Sequence, residues 1–297
     1  MPRRFLFSIA LAVAGLTSTE AWAGPYDLNL SRLGSLQGGV PQGDNTAFRT
    51  LSSELGTVMA PTIADSADSL GLSAFAVSAD LTINTITPEN WSGATQSDSP
   101  RGTAPSLQIM GRKGLWPGLE IGAGAKHLFD SRMWAMGGYV KASFHEGFHH
   151  LPIPSISARG SFSRLVGARD MNLSTAAVDI SLSHVFGIGK TFNITPYAGY
   201  QALFIFANSG VLDVTPGTDE FLMPADMSSE FVFRDAGAIV RHRPFLGARF
   251  IFSVMRLAAE YMIVPGGGST GELDDGTQVE DLSSLQHQFT ISLGLDF

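Results

Sequence analysis

The sequence contains no cysteine, so in an oxidising compartment disulfides are not what holds the chain together. Charge is also scarce. Asp, Glu, Lys and Arg make up 15% of the residues, and the formal net charge is -8. No basic tail or patch offsets that acidic balance, which argues against a nucleic-acid partner. A third absence is any transmembrane-helix pattern after the first residues of the chain. That lack usually marks a soluble secreted protein. Yet 44% of the residues are hydrophobic and 33 are glycine, which is apolar and glycine-rich for a periplasmic enzyme. Strands that cross a membrane escape helix-based hydropathy, because only every second residue faces lipid.

The N-terminus points to export. Arg3 and Arg4 precede the apolar run Phe5 to Leu16, and Ala21-Trp22-Ala23 supplies small residues at the positions a signal peptidase reads. The run is too short to span a bilayer comfortably, so residues 1–23 are expected to be a signal peptide cleaved after Ala23. Residues 24–70 form a separate N-terminal segment. Gly24 to Gly43 is rich in turn residues. Thr46 to Gly56 places Phe48, Leu51 and Leu55 at helical spacing, with Asn45 as cap and Gly56 as stop. Such a helix either packs under the rest of the protein in the periplasm or inserts, over residues 46–60, as a plug.

From Gly71 onward the pattern changes to period 2. Phe75, Val77, Ala79, Leu81 and Ile83 share one face of a first strand, opposite Ser78, Asp80, Thr82 and Asn84. The same alternation recurs to the end of the chain and gives about ten strands (roughly eight to twelve) of the length a tilted membrane strand needs. Every long loop, 87–104, 207–235 and 266–284, follows an odd-numbered strand, whereas connections after even-numbered strands are mostly tight. The closing stretch, Leu285 to Phe297, sets Phe289, Ile291, Leu293, Leu295 and Phe297 on its oily face. An even strand count, long loops on one side, Trp134, Phe144, Phe186, Phe192, Phe206 and Phe252 near strand ends, and a terminal aromatic together resemble a bacterial outer-membrane β-barrel. The resemblance is architectural and covers residues 71–297. It implies an all-β, antiparallel up-and-down membrane barrel with a short, partly helical N-terminal segment. It also implies outer-membrane localisation, outer-membrane lipid and the barrel-assembly machinery as partners, and Phe297 as the assembly signal.

Two motifs carry chemistry elsewhere. His145-Glu146-Gly147-Phe148-His149 matches the zinc-protease pattern, which needs both histidines on one helical face. Here a strand precedes it, Gly147 interrupts it, and Pro152 and Pro154 follow, so it reads as a periplasmic turn, with adventitious metal binding as the alternative. Gly187-Ile188-Gly189-Lys190-Thr191 resembles the end of a phosphate-binding loop but lacks the first glycine and the following helix, and reads as a hairpin turn. His184 and His242 share the lipid-facing parity and leave no nucleophile–base pair. No enzyme activity, cofactor or metal site is expected, and an outer-membrane hydrolase is the least favoured class.

The inward faces are more informative. Parity points Arg112, Lys126, Lys141, Arg159, Arg241, Arg243, Arg249 and Arg256 into the barrel, against fewer acids, Asp80, Glu120, Asp179 and Glu260. Two readings follow. The basic residues line a narrow channel for small anionic solutes, since charged rings set selectivity in pores. Alternatively they are paired within a salt-bridged polar core of a closed structural or surface-interaction barrel. The acidic residues of the long loops lack calcium-loop spacing and read as solvated surface.

Overall fold

A computed structural model of the chain describes residues 24–62, 64–145, 153–188, 191–215 and 229–297. The expected signal peptide, residues 146–149 of the histidine motif and residues 189–190 of the glycine turn lie outside the described residues.

Ten antiparallel strands form the wall: β1 (Phe75–Thr85), β2 (Thr103–Trp116), β3 (Leu119–Leu128), β4 (Trp134–His145), β5 (Ser155–Val166), β6 (Met171–Ser183), β7 (Phe192–Ser209), β8 (Ile239–Phe252), β9 (Met255–Val264) and β10 (Gln286–Asp296). Each pairs with the next, and β10 returns to β1, with Phe289 opposite Ile83 and Leu293 opposite Ala79. The ring therefore closes and leaves no unpaired edge, as a sheet in hydrocarbon requires. A short strand, Phe186–Ile188, prolongs the line of β6 against the start of β7.

Exposure follows the sequence alternation. On β1 it switches at every residue from Phe75 to Asn84. Outward residues include Ile109, Phe162, Ile180 and Leu293, which are 57%, 63%, 60% and 61% exposed. A continuous apolar belt of this kind has lipid as its solvent. One end of the barrel carries tight turns, such as Pro117–Gly118 and Ser253–Val254, and an outward ring of Phe75, Trp116, Phe144, Phe186, Phe252 and Phe297. Phe297 exchanges both backbone hydrogen bonds with Phe75, at 2.7 and 2.9 Å, so the last residue is stitched into the β1–β10 seam. The opposite end carries the long loops.

The N-terminal segment is where local structure departs from expectation. Helix α1 spans Asn45–Met59, is capped by Asp44, whose carboxylate accepts from the Ala47 N–H at 2.9 Å, and continues through Gly56. Gly56 is no stop signal. A Cβ there would lie 2.6 Å from the Ile205 side chain of β7, so glycine lets the helix lie against the wall. The expected polar loop 87–104 also holds a short helix, α2 (Pro88–Ser92), with Trp91 fully buried. The segment starts among the long loops, where the Tyr26 hydroxyl donates to the Thr103 carbonyl at 2.8 Å. α1 then enters the barrel, and residues 60–70 continue to the turn end. There the chain passes so close to β2 that a Cβ on Gly114 would meet the Gly71 carbonyl oxygen at 1.8 Å.

This path makes a prediction that the natural absence of cysteine renders clean. With long loops facing the exterior, Gln37→Cys should react with a membrane-impermeant maleimide on intact cells. Leu72→Cys should react only after the outer membrane is permeabilised. Equal labelling of the two on intact cells would contradict the path.

Candidate functional site in the barrel lumen

The lumen is built from two different half-walls. Toward the loop end, Leu165, Leu173, Leu203, Ile205 and Ile239 point inward and form one buried cluster with Leu51, Leu55, Val58 and Met59 of α1. Phe48 stacks on Phe233, with centroids 4.5 Å apart and planes 3° from parallel. The other side of α1 is polar and is equally buried. Glu54 accepts from Trp91 Nε1 at 2.9 Å, Asn90 Nδ2 at 2.7 Å and the Thr87 N–H at 3.1 Å. Ser53 joins Asp281 at 2.7 Å and receives Arg241 Nη1 at 2.6 Å; Arg241 also donates to Ser283 and to the Pro265 carbonyl.

Toward the turn end the wall is polar, and the extended residues 60–70 take their hydrogen bonds from it. Lys126 Nζ donates to the Val58 and Ala60 carbonyls and to Thr62 Oγ1 at 2.8–2.9 Å, closing the C-terminus of α1 where free carbonyls and the helix dipole favour a cation. The Gln108 amide pairs with both backbone groups of Thr62. Arg243 holds Gln288 at 2.8 Å, and Gln288 in turn donates to the Thr57 carbonyl at 3.0 Å. Beside Met59 and Pro61, between Met110 and Lys126, the void left over is about 10 Å³, no more than one water needs.

Asp65 is the centre of this half. Arg112 of β2 and Lys141 of β4 each reach its Oδ2 at 3.0 Å, and Arg249 of β8 and Arg256 of β9 each reach its Oδ1 at 3.0 Å. Arg249 also contacts Asp68 at 3.2 Å, and Lys141 contacts Glu120 at 3.2 Å. Asp65 and all four cations have side chains less than 10% exposed. A second pair, Arg159 with Asp179 at 2.9 Å, lies under the Tyr139 ring, with the guanidinium 5.8 Å from its centroid.

Every sequence-selected lumen residue thus points inward and is buried, including Glu260, which is 2% exposed. Four of them, Arg112, Lys141, Arg249 and Arg256, converge on one carboxylate. Lys126, Arg241 and Arg243 brace α1 instead, and Arg159 pairs within the wall. The excess of bases over acids on the strands is answered by Asp65 and Asp68, which parity could not supply because they lie off the strands. Their only signal is the run Ala64 to Gly71, in which two aspartates stand among small residues just before the first strand. His242, on the lipid face, is hydrogen-bonded through Nδ1 to the Tyr200 hydroxyl.

No protein-family model and no curated protein matches the sequence. Among solved structures the chain is similar to the outer membrane protease OmpT of Escherichia coli, at 9% identity over 76% of this chain and 96% of that one, TM-score 0.35. It is similar to the translocator domain of autotransporter NalP from Neisseria meningitidis, at 8% identity over 76% and 89%, TM-score 0.35. It is also similar to the outer membrane protein Omp33 of Acinetobacter baumannii, at 7% identity over 76% and 98%, TM-score 0.29. These likenesses concern fold alone. The closed ten-strand ring, its lipid-facing belt and its polar interior define a β-barrel of the bacterial outer-membrane type.

Removing the central carboxylate leaves four buried cations without it. Breaking a buried pair costs about 3–5 kcal/mol, so Asp65→Ala should lower the midpoint of urea unfolding in detergent by at least that equivalent. Arg249→Met added to Asp65→Ala should restore part of the loss, because the two share one interaction. Strictly additive effects would count against the Asp65 cluster as a unit.

Proposed function

We propose that the protein is a closed, self-plugged outer-membrane barrel that works through its loop end. The observation that carries this reading is the fit between the wall and the segment inside it. Leu165, Leu173, Leu203 and Ile205 point into the lumen and pack on α1. An aqueous path for polar solutes has no use for such a lining, whereas a permanent occupant does. The polar half supports the same reading, since the wall side chains are spent on the backbone of residues 58–70 and on Asp65. On this reading the chain is not an enzyme, and its surface consists of the long loops with the Gly34–Gln37 and Val40–Gly43 hairpin, whose Leu36 and Val40 are exposed.

A second reading is favoured by one specific feature. The strands themselves carry more inward bases than acids. Departure of residues 45–70 would leave a cationic wall suited to small anions.

Planar-bilayer recording separates the two. The full chain should show no steady conductance, and Asp65→Ala should stay equally silent. Steady current through the unaltered protein would overturn the closed-barrel reading. Anion-selective openings confined to Asp65→Ala would favour the gated path instead.

A further inference from the structure

The lipid-facing surface is mainly apolar, with a polar patch near the loop end that carries an arginine. Arg164 of β5 points outward and is exposed, although its neighbours along that face, Phe162 and Val166, are apolar. It sits two residues from the end of the strand, about 7 Å of strand rise, at the depth of the outer-leaflet headgroups if the long loops face the exterior. Among the described outward-facing strand residues the other Lys or Arg is Lys113, at the turn end, whose Nζ donates to the Ser73 carbonyl at 2.6 Å. Arg164 has no carboxylate partner among the described residues. Neither has Arg169, exposed in the turn directly after β5.

The surroundings add neutral hydrogen-bonding groups and an apolar floor. Ser174 of β6 lies opposite Arg164 across the β5–β6 ladder. Two residues along, Asn172 faces outward and donates to Asn208 of β7 at 3.2 Å. On the other side Met136 of β4 lies opposite Arg164, and Trp134 lies opposite Val166. Trp134 stacks on His127 at 4.4 Å. Asp170 in the same turn and Asp130 in the preceding loop form no ion pair with either arginine among the described residues.

A bare guanidinium at the lipid face lacks a counter-charge from the protein, so the counter-charge has to come from the leaflet. Guanidinium groups match phosphate oxygens in bidentate geometry, while the apolar residues below accept acyl chains. We propose that the outward face of β4–β7 at the loop end binds a phosphorylated, acylated glycolipid of the outer leaflet. Arg164 and Arg169 take its phosphate, Asn172, Asn208 and Ser174 its sugar hydroxyls, and Met136 and Phe162 its chains.

Native mass spectrometry of the full chain in detergent provides the test, with bis-phosphorylated lipid A, its dephosphorylated form and phosphatidylglycerol as probes. Lipid A should be retained best by the unaltered protein. Arg164→Gln with Arg169→Gln should weaken that retention at least about tenfold, as expected for the loss of charge-assisted hydrogen bonds. Neither side chain holds another part of the fold, so heat-modified mobility on gels should be unchanged. Equal retention of dephosphorylated lipid A, or of phosphatidylglycerol, by the unaltered protein would overturn the proposal without reference to any variant. So would unchanged retention by the folded double variant.

Discussion

Four cations from four different strands meet at Asp65, and among the described residues no other contact ties so many parts of the wall to the segment it encloses. Burying an arginine or lysine is unfavourable unless an opposite charge accompanies it. On the strands alone the inward bases outnumber the acids, so the empty wall would be a poorly compensated ring of positive charge. Asp65 supplies the compensation from off the sheet. β2 and β4 approach it from one side and β8 and β9 from the other, so a single side chain acts as a strut between distant parts of the barrel. Asp68 and Glu120 extend the cluster and spread the charge over more than one carboxylate.

The two halves of the lumen match two kinds of backbone. A helix satisfies its own amides and carbonyls, so α1 can lie against Leu203 and Ile205 and present a side-chain surface to an apolar wall. Beyond Met59 the chain is extended, and its backbone groups need partners from outside. There the wall changes to Lys126, Gln108, Ser143, Ser183 and Lys141, each of which hydrogen-bonds to backbone of residues 58–68. The transition falls at the end of the helix, where Lys126 takes the last free carbonyls. Segment and wall are therefore complementary along their length, apolar with helix and polar with strand-like chain.

The wall was legible because lipid on one side and packed groups on the other impose a period of 2, which holds along most of each strand and slips only at the irregularities near Trp116 and His145. The same parity placed Arg112, Arg243 and Glu260 inside. Residues 60–70 escaped because their partners come from many strands and impose no local repeat: Ala64, Asp65, Ser66, Ala67 and Asp68 look like linker. α1 was visible as a helix, but its burial was not. A polar helix face normally meets water, and Ser53, Glu54 and Thr57 would look the same in either place. Here they meet Arg241, Trp91 and the wall instead. Gly56 shows how a local rule fails under tertiary packing: the residue that usually ends a helix is kept within one because Ile205 leaves no room for a side chain.

The passage of the chain through the lumen has a consequence for how the molecule is put together. An even number of wall strands returns a polypeptide to the side from which it set out. One additional crossing makes the total odd, so Tyr26 and Phe297 lie at opposite ends of the barrel. At the loop end the segment is anchored by a folded cap, with Tyr26, α2 and the Gly34–Gly43 hairpin held among the loops. At the turn end it leads, within a few residues, into the strand that Phe297 closes. A bulky cap cannot be drawn through a ring already zipped and packed. A folded cap and a closed β1–β10 seam therefore hold the segment in the lumen from both ends.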